Sequence, residues 1–253
     1  MSVYDSNKSI IMHFCEKYNI SLEESVISDF DTMTEELLEF NSHTNLTAVR
    51  EPREVAIKHH ADSLALLMTD YLKGGMRVID VGCGAGFPGL PLATARRDID
   101  ISFLDSTAKK LKFTALCAEK LGIRANILPL RAEDAAKDKK LREGFDVAVS
   151  RAMANLPVLC ELCLPFVRVG GVFAAYKGAQ ASDTHNPESE LSRSLSGISK
   201  LGGEVEKIIN YDLCDFYRDD DEDKKHCLII IRKKKPTPPS YPRRYPQIIS
   251  KPL

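Results

Sequence analysis

Apolar residues follow two rhythms along the chain. Through residue 72 they recur at helical spacing. Ile10, Ile11, Phe14, Cys15 and Tyr18 form one set, and Val26, Phe30, Met33, Leu37, Leu38 and Phe40 a second. Ile57, Ala61, Leu64 and Met68 form a third. Positions three and four apart share one helix face, so three helices are predicted. Ser21-Leu22-Glu23-Glu24 has the capping-box pattern for the start of the second. Asn41 to Thr47 reads as a polar loop, and Pro52 suits the first turn of the third helix.

From Arg77 the rhythm changes to short β-branched runs separated by helical stretches. Predicted strands are Val78–Val81, Ile99–Leu104, Asn126–Leu130, Phe145–Val149 and Val172–Tyr176, the last entered through a Gly170-Gly171 turn. Predicted helices are Pro88–Ala95, Lys109–Leu121, Leu156–Leu164 and a Ser-rich one over Glu188–Leu201. This alternation implies βαβ units and a mostly parallel sheet. Glu204–Tyr211 and His226–Ile231 break it, with no helix between them, and read as an antiparallel edge pair. The division expected is a helical extension over 1–72, an α/β domain over 73–232 and a tail over 233–253. Asp219-Asp220-Asp221-Glu222-Asp223 reads as a solvated loop.

The 253 residues suffice for a sizeable core, and a net charge of −1 singles out no partner. No basic segment precedes an apolar run at the N-terminus, and no run approaches the roughly 18 apolar residues of a membrane span. Seven cysteines in largely apolar surroundings fit a reducing cytosol. Cys160-Glu161-Leu162-Cys163 has no partner CxxC or CxxH, so it reads as buried helix positions and no metal site is expected.

The chemistry concentrates in VIDVGCGAGFPGLPLATA, Val78 to Ala95. Gly84-x-Gly86-x-x-Gly89 has the spacing of a dinucleotide fingerprint, whereas Asp80-x-Gly82-x-Gly84-x-Gly86 suits a cofactor without phosphate. Glycine lets the backbone turn sharply and approach a ligand. Pro88 removes an N–H that a pyrophosphate would use at the helix start. A carboxylate at Asp80 repels phosphate and suits the cationic S-adenosylmethionine (AdoMet). Asp105, ending the second strand, is placed to accept ribose hydroxyls of either cofactor. Arg131-Ala132-Glu133-Asp134 follows the third strand, where it meets an adenine edge or simply opens a helix.

These residues resemble the bacterial ribosomal RNA small-subunit methyltransferase G family, also called glucose-inhibited division protein B. The Phe87-Pro88-Gly89 that follows the glycines carries the likeness most specifically. Asn45-Leu46-Thr47-Ala48-Val49-Arg50, His59-x-x-Asp62-Ser63-Leu64, Leu104-Asp105-Ser106, Lys109-Lys110, Ser150-Arg151-Ala152, Tyr176-Lys177-Gly178 and Tyr241-Pro242-Arg243 extend it in order. The resemblance implies a Rossmann-like sheet with an antiparallel last strand. It further implies AdoMet-dependent methylation of N7 of one guanosine in 16S rRNA, on naked rRNA, the 30S subunit or an assembly intermediate. Carried over position by position, Gly82, Phe87, Ala132, Glu133 and Arg151 match the family's cofactor contacts. Asp80, Gly84, Gly86 and Asp105 join them from the reading of the turn. The tail departs from the family, which continues Tyr-Pro-Arg with a Gly-Thr-Pro segment that is missing here.

Guanine N7 carries a free lone pair, so no general base is expected. No Asn/Asp-Pro-Pro-Tyr/Phe stretch or Pro-Cys pair marks amine or carbon methylation. Arg151 is expected to orient cofactor or RNA, and His59 and Asp62, one turn apart, either line the RNA side of the cleft or pair locally. Between Arg232 and Leu253 stand seven Lys or Arg and no acid. Arg232, Lys233, Lys234, Lys235, Arg243 and Arg244, with Tyr241 and Tyr245 among them, are therefore expected to meet RNA phosphates and bases. The protein is expected to be a cytoplasmic monomer. Two alternatives stand beside this reading: an NAD-dependent oxidoreductase, which lacks an evident hydride-relay residue, and a non-catalytic RNA-binding module.

Overall fold

In a computed structural model, the structure describes residues 2–217 and 224–253. The acidic run Asp219–Asp223 lies outside the described residues. Two helices, α1 (Val3–Lys17) and α2 (Ile27–Thr44), come first. A continuous helical stretch follows, made of α3 (Pro52–Val55), a π-helical turn (Ala56–Ala61), α4 (Asp62–Leu64) and a 3-10 turn (Ala65–Met68). The βα repeat is β1 (Arg77–Val81), α5 (Gly89–Ala95), β2 (Asp100–Leu104), α6 (Ala108–Lys120), β3 (Ala125–Leu128), α7 (Ala132–Ala135), β4 (Phe145–Arg151), α8 (Leu156–Cys163), β5 (Val167–Gly178) and α9 (Glu190–Lys200). β6 (Gly203–Asp212), β7 (Lys225–Lys233) and α10 (Tyr245–Ser250) end it.

The seven strands form one sheet in the order β3-β2-β1-β4-β5-β7-β6. The first five are parallel, and β7 inserts antiparallel between β5 and β6. This is the Rossmann-like methyltransferase fold, and the antiparallel strand is the predicted His226–Ile231 run. Strand alternation splits the apolar residues between two cores. Val78, Ile101, Phe103, Val147, Val149 and Ile230 face one side, where Phe14, Phe30, Met33 and Leu37 of α1 and α2 join the same core. Ile79, Val81, Ala148, Phe173, Ile229 and Ile231 face the other, under α8 and α9.

Local chemistry moves several boundaries. The Ser21 capping box does not form: α2 follows a 3-10 turn with no side-chain cap, and Ser25 Oγ bonds Glu23 instead, at 3.2 Å. α2 runs through Thr44 because Asn41 is needed as a clamp. Its Nδ2 donates to Thr47 O at 2.9 Å, and its Oδ1 accepts from Thr47 N at 3.0 Å. Gly170-Gly171 does not turn the chain; β5 passes through it, with a register shift against β4 between Phe145 and Val147. A Cβ on Gly171 would lie 2.5 Å from Asp146 O, so the close approach at this bulge requires glycine.

The tail is folded onto the domain. The Lys233 side chain is fully buried, and its Nζ donates to Leu164 O (2.6 Å), Val167 O (3.2 Å) and Thr237 Oγ1 (2.6 Å). Glu143 lies 3.2 Å from that ammonium. Burial lowers the ammonium to about 8, and Glu143 offsets part of that effect. Lys233 is thus a core residue, contrary to its expected place on an RNA surface. Lys233→Met should lower unfolding free energy by about 3 kcal/mol in urea titrations, because charged hydrogen bonds to buried carbonyls are lost. A lysine reserved for RNA would leave stability unchanged.

Candidate active site

The glycine turn lies at the carboxyl end of β1, where strand order reverses between β2 and β4, the place at which open α/β sheets bind ligands. Two carboxylates hold it. Asp80, ending β1, is fully buried, and its Oδ2 accepts from Gly89 N at 2.8 Å. Asp105, just beyond β2, accepts from Gly84 N (3.0 Å) and from Thr107 N (2.7 Å). The other amides are turned inward too. Gly82 N and Cys83 N reach Leu104 O, Gly86 N and Phe87 N reach Cys83 O, and Leu90 N reaches Gly86 O. Pro88 has no N–H. Between Gly82 and Leu90 only Ala85 has an amide without an acceptor among the described residues.

Gly82, Gly84 and Gly86 all take positive φ (+70°, +56° and +86°), a conformation that side chains rarely adopt. A Cβ on Gly82 would also lie 2.1 Å from Met153 Sδ. The Phe87–Pro88 peptide is cis.

Two cavities lie on either side of the β4 end, and the smaller reaches the turn. The smaller, roughly 180 Å³, is lined by Gly82, Asp105, Ala132, Glu133, Met153 and Tyr245, among others. Glu133 is 7% exposed, and its carboxylate has no partner among the described residues. The larger, roughly 580 Å³, is lined by Lys58, His59, Arg151, Ala152, Lys177 and His226, among others. The end of β4 divides the two. Ala152 is left-handed (φ +54°), so consecutive residues face opposite ways: Ala152 the larger cavity, Met153 the smaller.

A buried ion pair anchors that divide. Arg151 Nη1 lies 2.6 Å from Asp62 Oδ2 and 3.0 Å from Lys58 O. Tyr211 Oη donates to Asp62 Oδ1 at 2.7 Å, and His226 Nδ1 stands 3.1 Å from the same oxygen. Burial pushes the Asp62 carboxyl up, but Arg151, His226 and Tyr211 outweigh it and hold it well below the usual carboxylate range. The π-helical turn presents His59 on the Asp62 side, stacked on Phe87 at 4.5 Å and 15°, with its Nε2 3.1 Å from Thr47 Oγ1. The Arg151 guanidinium lies over the Phe87 ring, 5.6 Å from its centre. Burial, then Arg151, lowers His59 to about 3, so its imidazole is neutral at physiological pH.

The structure thus brings Gly82, Asp105, Ala132 and Glu133 into one cavity. Arg151 lines the other, and Phe87 packs between the turn and His59. Asp80 lines neither cavity: it lies beneath the turn as a clamp. Gly84 and Gly86 shape the turn. In the tail, Arg232 forms an ion pair with Glu206, and Arg243 with the fully buried Glu161. Arg142 binds the carbonyl of Tyr241 at 2.9 Å. Lys234 stands exposed 3.5 Å from Glu204, and Lys235 and Arg244 are exposed with no ion pair among the described residues. Met153 and Leu162, which line the smaller cavity, and Tyr211, which bonds Asp62, were not singled out by sequence reasoning, since an apolar or aromatic residue carries no local mark of its role in a site.

The fold and the turn define a class, the Rossmann-like methyltransferases. The family model described as "GidB: rRNA small subunit methyltransferase G" matches residues 26–202. A ribosomal RNA small subunit methyltransferase G from Alkaliphilus oremlandii is 43% identical over 208 residues, covering 81% of this chain and 84% of that one. One from Clostridium perfringens is 38% identical over 240 residues, covering 94% and 95%. The chain belongs to the ribosomal RNA small subunit methyltransferase G family. Among solved structures, a putative methyltransferase from Bacillus halodurans shares the fold at TM-score 0.51 and 15% identity, over 69% of this chain and 100% of that one. The cyclase SpnF shares it at 0.52 and 17%, over 81% and 93%. Likeness at this level identifies fold, not reaction.

Burial pushes the Asp80 carboxyl up to about 7, against the lowering effect of the Gly89 N–H. Folded protein then keeps a proton that the unfolded chain releases between about pH 4 and 7, so the stability this group adds is lost as pH rises through that window. His59 acts in the opposite sense, so the comparison is made within one variant. The unfolding free energy of wild type minus that of Asp80→Asn should fall from pH 4 to 7; a flat difference contradicts the buried acid. Removing Arg151 leaves the buried Asp62 with Tyr211 and His226 but without its guanidinium partner. Arg151→Met should cost about 3–5 kcal/mol, and adding Asp62→Asn should recover part of it. A double variant no more stable than the single one would rule out a charge-pair role.

Proposed function

We propose that the protein transfers a methyl group from AdoMet to N7 of a guanosine in 16S rRNA. The observation that carries this reading is the closed glycine turn. A pyrophosphate site needs backbone N–H groups aimed at the ligand, and here all but one of those amides are consumed within the turn or by carboxylates. That favours a cofactor without phosphate over NAD.

The residues present fit AdoMet. Each Asp105 oxygen accepts one backbone N–H and retains a lone pair for ribose hydroxyls. Glu133 offers a buried acceptor at the adenine end. Asp80 lines neither cavity; it serves the site from beneath, holding the turn through Gly89 N at 2.8 Å. When bound, AdoMet supplies an electrophilic methyl on a sulfonium. The chain's residues then orient and exclude water. Arg151 is already held by Asp62 and Lys58 O, so it acts as a fixed wall, not as an acid or base. His59 stays neutral beside it and adds no repulsion to the positive charge that forms on the purine.

The larger cavity is the place for the guanosine. On its rim Lys58 is exposed and paired with Glu54 at 2.6 Å, where it can exchange that partner for an RNA phosphate. Lys177 is held by Glu190 and Ala154 O, and His226 by Asp62. Exposed Lys235 and Arg244 offer further charge on the tail. N7, methyl and sulfur must come into line and into contact where the two cavities approach at Ala152–Met153, and that placement would supply several kcal/mol by proximity.

The test is transfer of tritiated methyl from AdoMet to undermethylated 30S subunits and to naked 16S rRNA, with the labelled nucleotide mapped. Label at guanine N7 is expected, and Asp105→Ala should raise the AdoMet KM about tenfold or more. Uptake of NAD in place of AdoMet, or RNA binding without methyl incorporation, would overturn the proposal in favour of an oxidoreductase or a binding module.

A further inference from the structure

We infer that the C-terminal segment completes the cofactor site, with Tyr245 forming the outer wall against which the adenine stacks. The inference rests on the reading of the smaller cavity as the AdoMet site. Tyr245 lines that cavity together with Gly82, Asp105, Glu133 and Leu162, although it stands far beyond them in the sequence.

The segment is tied in place on both sides of this residue. Arg243, two positions earlier, donates from its backbone N (2.8 Å), Nε (2.9 Å) and Nη2 (2.6 Å) to the carboxylate of Glu161. Glu161 is fully buried on α8, next to Leu162, which lines the same cavity. The pair therefore fixes Tyr245 relative to the cavity wall. Further on, Ile248 is fully buried, and Leu253 packs on α9 so closely that a Cβ on Gly197 would lie 2.8 Å from its Cβ. Upstream, Arg142 binds the carbonyls of Thr237 and Tyr241. A segment serving only to present charge to RNA has no need of these ties.

Tyr245 itself is 38% exposed, and its hydroxyl makes no hydrogen bond among the described residues. An aromatic face held at the mouth of a cavity, opposite acids suited to a ribose and an adenine, is the arrangement that base stacking uses. The tail's basic residues then divide by task. Lys233 and Arg243 hold the strap, Arg232 pairs with Glu206 in β6, and Tyr245 closes the pocket.

The chain contains no tryptophan, so Tyr245→Trp introduces a single reporter. Its emission should change saturably with AdoMet, at the constant that calorimetry gives for the same variant. Tyr245→Ala should weaken AdoMet about tenfold or more, consistent with loss of a stacked base. Tyr245→Phe should bind as wild type does. All three should keep the wild-type unfolding midpoint, since the side chain is half exposed and unbonded, and the Ala variant should keep its affinity for 16S rRNA. Unchanged AdoMet affinity in the Ala variant, or flat emission in a Trp variant that binds AdoMet by calorimetry, would overturn the inference. So would loss of rRNA affinity with cofactor affinity intact, which makes the tyrosine an RNA contact. If wild type itself takes up no AdoMet, the reading of the cavity fails first, and that result is distinct from the others.

Discussion

The site is organised by a glycine turn that satisfies its own hydrogen bonds. Asp80 holds it from below and Asp105 from beside. Each carboxylate ends or follows a strand, so the sheet fixes both anchors before any ligand arrives. The turn can be glycine-rich, with three residues at positive φ, and still be rigid, because its amides are spent on fixed acceptors. On the proposed reading, that economy leaves few N–H groups with which to hold a phosphate and so favours a phosphate-free ligand.

The second organising feature is the Arg151–Asp62 pair. It joins the end of β4 to the helical stretch that precedes β1, and Tyr211 and His226 bring β6 and β7 to the same carboxylate. A buried pair of this kind is weak evidence for net stability, but breaking it is costly, so it fixes geometry. Here it holds the β4 end at the divide between the two cavities. The N-terminal helices are thus part of the active-site scaffold, and their core is continuous with one face of the sheet. The motif residues His59 and Asp62, distant from Arg151 in sequence, converge on it, and Thr47 holds His59 from its other side.

The tail shows how charge misleads when read without partners. Its seven basic residues and lack of acids read as an electrostatic arm. Their counterions stand elsewhere in the chain: Glu143 before β4, Glu161 in α8 and Glu206 in β6. Lys233 is buried outright and serves backbone carbonyls. What remains exposed is a short set, Lys234, Lys235, Arg244 and Lys251, with an aromatic residue among them at the cofactor cavity.

Periodicity was enough to place the strands and most helices, because the alternation of apolar residues reflects which backbone faces must leave water. The turn's glycines, the acid after β2 and the antiparallel β7 were legible for the same reason: local backbone geometry demands particular residues at particular places. Gly170-Gly171 was misread because a distant partner, Asp146 O, sets the bulge, whereas Asn41 and Ser21 were misread over competing local contacts, Asn41 with Thr47 and Ser25 with Glu23. Asp80 was recognised as important but assigned to the ligand face, since a sequence does not say on which side of a turn a carboxylate lies. Only the folded chain decided that Arg151 is spent on Asp62, that Lys233 is core and that Tyr245 reaches the cavity. Each depends on a contact between segments far apart in the chain, and pairing of that kind leaves no periodic trace.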